Sequence, residues 1–237
     1  MAYVRDRRLA AAPEVSAYLD AVFVPGARLG ATGDETFVDV VEVAQVATIR
    51  VPTGRLVVDT PWPEERPSRE LAVRIPPGTY RVEAAWTEAP YTFMGEHFSG
   101  RENAATRLCV AEGTVAFWEM GLSVTDDVEQ LQDGGEFGFA TDTSMGGFAD
   151  ASAWPELTAP FARFWEDSEK APGTQVERET EQVRDNEFEM THDETRGADL
   201  ITFAAAEGLS VVWLGRTETG SLSSIAVMGH GGLEALA

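Results

Sequence analysis

From Thr36 to Met228, proline and glycine turns cut the chain into short runs of β-branched and aromatic residues, and helical periods are rare between them. That punctuation constrains the fold more than composition does. Strands that follow strands without intervening helices pair antiparallel, because a parallel neighbour requires a long crossover. Thr36–Arg50 reads as one bent strand or a hairpin, followed by strands at Arg55–Thr60 and Glu70–Ile75. Thr79–Thr87 alternates strictly, with Tyr80, Val82, Ala84 and Trp86 on one face. Pro90–Arg101 reads as a loop. Ala104–Ala111 and Thr114–Met120 read as a hairpin around Glu112–Gly113. Further strands are expected at Glu136–Thr141, Leu200–Ala206, Leu209–Leu214 and Leu222–Met228. The total is about ten strands.

Three segments depart from this rhythm. Arg5–Val24 has helical spacing at Val15, Tyr18, Leu19 and Val22, with Pro13 suited to a first turn. In Ala151–Ala171, Trp154, Leu157, Phe161, Phe164 and Trp165 share one helical face. Pro160 within that stretch predicts two short helices, or one that begins near Thr158. Glu177–Asp199, the most charged part of the chain, reads as a solvated helix followed by loop. The fold class expected is therefore α+β and β-rich, with mainly antiparallel sheets (a sandwich or an open barrel-like form) and a helical insertion around 151–185. We expect one domain over 1–237: an N-terminal segment 1–50, a core 52–228 and a loose tail 229–237.

Charge narrows the class of partner. The net charge is −22, and −18 of it lies after Val115. Such a field repels nucleic acid and anionic membrane and favours a basic protein as partner. The acidic stretch 177–199 could mimic a phosphate backbone, as inhibitors of nucleases do. No apolar run of transmembrane length occurs, and no apolar region follows the basic N-terminal residues, so neither a membrane span nor a signal peptide is expected. The single cysteine, Cys109, sits in the apolar run Leu108–Ala111 and reads as a core thiol. These features together predict a cytoplasmic protein.

Gly134–Asp150, GGEFGFATDTSMGGFAD, is the stretch with most chemical content. Asp142 follows a strand and precedes a glycine turn. Asp142 and Asp150 could bind Mg²⁺ or Ca²⁺ or act as an acid/base pair, with Glu119 or Glu207 completing a three-carboxylate site. Equally, Asp142 could close an Asx turn, Asp150 could N-cap the following helix, and Gly146 and Gly147 could supply positive φ. Trp118–Glu119 reads either as an aromatic floor with a carboxylate or as a core Trp beside an edge Glu. Trp118, Gly146 and Gly147 are thus candidate ligand-binding residues. His97, His192 and His230 have no metal-ligand spacing and read as loop residues.

In order and spacing, PTGRLVVDT (Pro52–Thr60), PPGTYRV (Pro76–Val82), the Trp118–Glu119 pair and FGFATDTSMGGFAD (Phe137–Asp150) resemble the bacterial family catalogued as domain of unknown function 4241. The resemblance covers about Pro52 to Met228. Ser144 stands where a glycine is usual. Ala204–Gly208, AAAEG, answers the family's Ser–Gly–Trp–Gly–Asp–Gly-like segment only at Glu207 and Gly208. The resemblance implies an architecture and no reaction. Two functions follow from the residues: a non-enzymatic binding protein of immunity or inhibitor type with an acidic partner surface, or a carboxylate-based hydrolase or small-ligand enzyme.

Overall fold

The computed structural model describes residues 3, 6–30, 38–132, 134–170, 176–184 and 187–229. A 3-10 turn (Arg7–Leu9) leads into helix α1 (Pro13–Val22), with Pro13 in its first turn and Val15, Tyr18, Leu19 and Val22 buried as their spacing requires. Strands β1 (Arg28–Leu29), β2 (Val38–Val51), β3 (Leu56–Asp59), β4 (Gly78–Glu88), β5 (Tyr91–Phe93), β6 (Glu96–Phe98), β7 (Arg101–Cys109), β8 (Phe117–Met120), β9 (Gly138–Thr141) and β10 (Met145–Asp150) follow. Helix α2 (Trp154–Lys170) interrupts them. The chain then runs through β11 (Glu181–Val183), β12 (Phe188–Asp193), β13 (Ala198–Ala204), β14 (Gly208–Arg216) and β15 (Leu222–Met228).

All strand pairs are antiparallel. The larger, curled sheet has the order β1-β2-β4-β7-β15-β14-β8, with β9 on the first half of β14. The smaller has the order β11-β12-β13-β10-β3. Their facing sides enclose the main core, which includes Ile49, Val82, Trp86, Leu108, Phe148, Ile201, Phe203 and Val227. Helix α1 covers the outer face of the large sheet, where Tyr18, Leu19 and Val22 meet Ala105, Trp118, Trp213 and Ala226. Helix α2 covers the outer face of the small sheet through Leu157 and Phe161 against Ala149, Ala198 and Leu200. The layers are therefore helix, sheet, sheet, helix. This is the β-rich α+β, antiparallel class that the punctuation predicts. No described helix is long and apolar enough to cross a membrane.

Of the Thr36–Arg50 run, the described residues form one strand, β2, with register shifts between Val40 and Glu42 and between Gln45 and Ala47; Thr36 and Phe37 lie outside the described residues. Two bulges bend it, which is how an alternation that breaks twice stays in one sheet. The last three strands form as expected.

Five expectations are corrected. Glu70–Ile75 is not a strand: it makes only isolated bridges, Glu70 to Val57 and Leu71 to Ser123. Arg69 is drawn inward, its backbone N–H donating to Asp59 and its guanidinium to the Gly121 carbonyl and Asp126. Pro90–Arg101 is largely a small hairpin, β5–β6. Met94 and Gly95 both take positive φ, 51° and 85°, as a tight hairpin turn requires, and Tyr91 stacks on Phe98. β7 and β8 do not pair around Glu112–Gly113. The N–H groups of Val110 and Ala111 instead bond the Ser223 carbonyl, and the chain crosses β15 and β14 before β8 begins. Pro160 does not divide its helix; α2 runs unbroken, with Leu157, Pro160 and Phe161 buried. Burial of that face offsets the hydrogen bond a proline cannot make. Finally, Glu177–Asp199 contains β11 and β12 and the start of β13, not a helix and a loop. β12 is buried on both faces, and its Glu189, between Phe188 and Met190, is buried because Arg178 pairs with its charge and the Thr180 hydroxyl donates to it. With these additions, fifteen strands are present among the described residues. The tail 230–237 lies outside them.

Candidate functional site

Two turns meet at one end of the sheets. The β9–β10 turn is held by Thr141, whose hydroxyl accepts the Thr143 N–H and bonds the Thr143 hydroxyl. Its tightest position is Ser144, at φ 54°. The left-handed conformation falls where the family resemblance expects glycine, so the motif reports a backbone demand that this chain meets with serine. The Ser144 carbonyl accepts the Ala205 N–H at 2.9 Å, and its hydroxyl reaches Glu207 at 3.5 Å. The β9–β10 and β13–β14 turns are thereby stitched side by side.

This stitching brings Asp142 and Glu207, both exposed, to one open cavity of about 390 Å³ lined also by Glu64, Ala140, Thr141 and Gly208. Glu64 comes from the proline-rich Pro61–Pro67 segment. Arg66 anchors that segment with a two-pronged ion pair to buried Asp59, 2.7 Å on each prong, and reaches the Ala140 carbonyl. Three carboxylates thus surround one concavity. Among the described residues, no group of three or more His, Cys, Asp or Glu is arranged to hold a metal ion. The rim suits a diffuse cationic guest, such as a guanidinium or ammonium, better than a coordinated divalent ion.

The other sequence candidates lie elsewhere. Asp150 is fully buried, and its carboxylate accepts from the N–H and hydroxyl of Thr53 and from the N–H and hydroxyl of Ser152. It locks the Pro52–Gly54 turn to the start of the α2 segment, a larger role than a helix cap. Glu119 is also buried, paired with Arg216 and with the Tyr3 hydroxyl. Burial and the Glu119 carboxylate push the Tyr3 phenol up to about 12. Gly146 and Gly147 are inside β10 and do not supply positive φ. A Cβ on Gly146 would lie 2.5 Å from the Phe203 ring and 2.7 Å from Phe139, so this glycine serves aromatic packing. Trp118 is buried, donates its indole N–H to Asp20, and borders a second cavity beside α1. Cys109 is half-buried at that same cavity.

Both described histidines lie in strands, not loops. His97 in β6 contacts the Thr92 hydroxyl. His192 in β12 lies between Asp199 at 2.8 Å and Glu181 at 3.1 Å. His230 falls outside the described residues. The sequence reading missed Glu64, which has no spacing relation to Asp142 or Glu207. Arg66, two residues after it and paired with Asp59, is the nearest anchor of the segment that carries it.

Two packed antiparallel sheets, a helix on each outer face and an acidic concavity between two stitched turns define this as a β-rich α+β scaffold with its candidate site on loops. The chain belongs to the family described as Protein of unknown function (DUF4241), whose model matches residues 49–227. No curated protein and no solved structure matches it.

Proposed function

We propose that this chain is a binding protein of immunity or inhibitor type, and that a basic protein docks a cationic side chain at the Glu64–Asp142–Glu207 rim. The observation that carries this reading is how charge is distributed between pairs. Among the described residues, every arginine and lysine except Arg7 has a carboxylate within salt-bridge distance. The described cations other than Arg7 are thus already matched, and the excess negative charge falls on carboxylates outside those pairs. The acidic stretch 177–199 is not the best place to look for a partner: Glu179, Glu181, Glu189, Asp193, Glu194 and Asp199 all have internal partners. The test is a lysate pull-down at low and moderate salt with the wild-type chain and with a Glu64→Gln/Asp142→Asn/Glu207→Gln variant. A basic protein retained by the first, released by salt and absent from the second supports the reading. Identical retention by both baits, or none by either, ends it.

A second reading is favoured by one observation, that Asp142 and Glu207 line the same cavity. It is a carboxylate-based enzyme assisted by Mg²⁺ or Ca²⁺, reduced from four residues to these two with Glu64. A cation with useful affinity for the folded state must raise the melting temperature. An unchanged midpoint with saturating Mg²⁺ and Ca²⁺ removes this reading.

A further inference from the structure

A second cavity, of about 400 Å³, lies on the outer face of the large sheet beside α1, with Leu19 and Asp20 of that helix in its lining. It is distinct from the acidic rim. Its floor follows from strand register. Arg81 of β4 pairs with Cys109 of β7, Cys109 with Ser224 of β15, Ser224 with Gly215 of β14, and Gly215 with Trp118 of β8. Residues directly opposite in antiparallel strands point to one face, so these five form a single row across the sheet. Gly215 occupies the narrow point. A Cβ there would lie 2.6 Å from the Ser224 hydroxyl and 2.9 Å from the Trp118 ring.

The Ser224 hydroxyl is buried in this floor and has no hydrogen-bond partner. Ser224 is 4 % exposed, and a hydroxyl withdrawn from water without a partner costs free energy that a bound polar atom would recover. The ends of the row differ in chemistry. At one end Trp118, Val115 and Leu19 make an apolar wall, and the Trp118 indole N–H is already committed to Asp20. At the other end Arg107 is held by Glu83 and lies over the Phe23 ring, whereas Arg81 is half exposed. Arg81 contacts Glu83 at 3.3 Å and the fully exposed Glu112 only at 3.9 Å, so its guanidinium can turn inward without leaving a buried charge unpaired. Burial and the Glu83 carboxylate push the Cys109 thiol up to about 11, so the middle of the floor carries no thiolate to repel an anion.

We propose that this cavity binds a small aromatic carboxylate. Its carboxylate accepts from the Ser224 hydroxyl and the turned Arg81, and its ring lies against Trp118 and Val115. The probe is 3-phenylpropionate, with neutral 3-phenylpropanamide as control. The readout is the indole N–H resonance of Trp118, assigned with a Trp118→Phe variant. Titration with the carboxylate is expected to shift that resonance saturably, and the amide to bind at least about tenfold more weakly. Ser224→Ala is expected to weaken binding about tenfold, and Gly215→Ala to abolish it. Should Gly215→Ala fail to fold, Ser224→Ala decides alone. Absence of a saturable shift, equal affinity for the amide, or wild-type affinity in Ser224→Ala overturns the proposal.

Discussion

At the scale of single residues, the acidic and glycine-rich stretch that dominates the sequence divides into structural parts and exposed ones. Asp150 belongs to the first kind. Its carboxylate satisfies donors from Thr53 and Ser152 in a fully buried setting, so Asp150→Ala is expected to lower the unfolding free energy by about 3 kcal/mol in urea titration. Asp142→Ala, at an exposed position, should change it by less than about 0.5 kcal/mol. A stable Asp150→Ala protein would return Asp150 to the list of chemical candidates. Gly146 makes a parallel case. Its missing side chain leaves room for the Phe203 and Phe139 rings, so Gly146→Ala is expected to destabilise by about 1–3 kcal/mol. Ser144 tests a backbone demand. At φ 54°, glycine and a β-branched residue should differ by about 1–2 kcal/mol, with Ser144→Gly the more stable protein and Ser144→Val the less. Equal stabilities would show that the turn relaxes.

At the scale of elements, the β12–β13 pair makes a pH-dependent contribution. Burial pushes the His192 pKa down, but Asp199 and Glu181 push it up by more, leaving it above the ordinary histidine value. A raised folded-state pKa means that the protonated ring is favoured by folding. The stability it adds is fully present below the unfolded value of about 6.5 and is lost as pH rises through the folded value. Asp199 has the opposite sign. Burial pushes its pKa up, but Arg50 and His192 more than reverse that, so its contribution persists above the ordinary carboxylate value and is lost only in acid. His192→Gln is therefore expected to destabilise most near about pH 5.5 and least near about pH 9, by denaturant titration at both values. A decrement independent of pH would show that packing, not charge, holds the pair. The elements also show what could be read in advance. The strict alternation at Tyr80–Trp86 is legible because Tyr80, Val82, Ala84 and Trp86 all face the main core, and the helical spacing of α1 because Val15, Tyr18, Leu19 and Val22 all pack in the outer-face core. β12 is not legible because its charged Glu189 is buried, which needs Arg178, and only the folded chain brings Arg178 near. The β7–β8 error has the same origin: a glycine turn marks a reversal of direction without stating which strand lies alongside.

At the scale of the molecule, charge is both matched and in excess. Close ion pairs act over short distances, whereas the net charge of −22 repels over long ones. Raising NaCl from about 0.01 M to about 0.1 M shortens the screening length from about 30 Å to about 10 Å, which removes repulsion before it weakens the pairs. The melting temperature is expected to rise over that range in scanning calorimetry; a fall would mean that the pairs outweigh the repulsion. The order of the large sheet adds something about synthesis. β15, formed by residues 222–228, lies between β7 and β14, and among the described residues it is the strand that pairs the two halves of the sheet. Until those residues leave the ribosome, β7 and β14 each present an unpaired edge. The nascent chain therefore carries the β7 edge as an open template for wrong pairing while more than a hundred further residues are made, and the β14 edge only briefly before β15 follows, so the yield should depend on what shields the β7 edge in that interval.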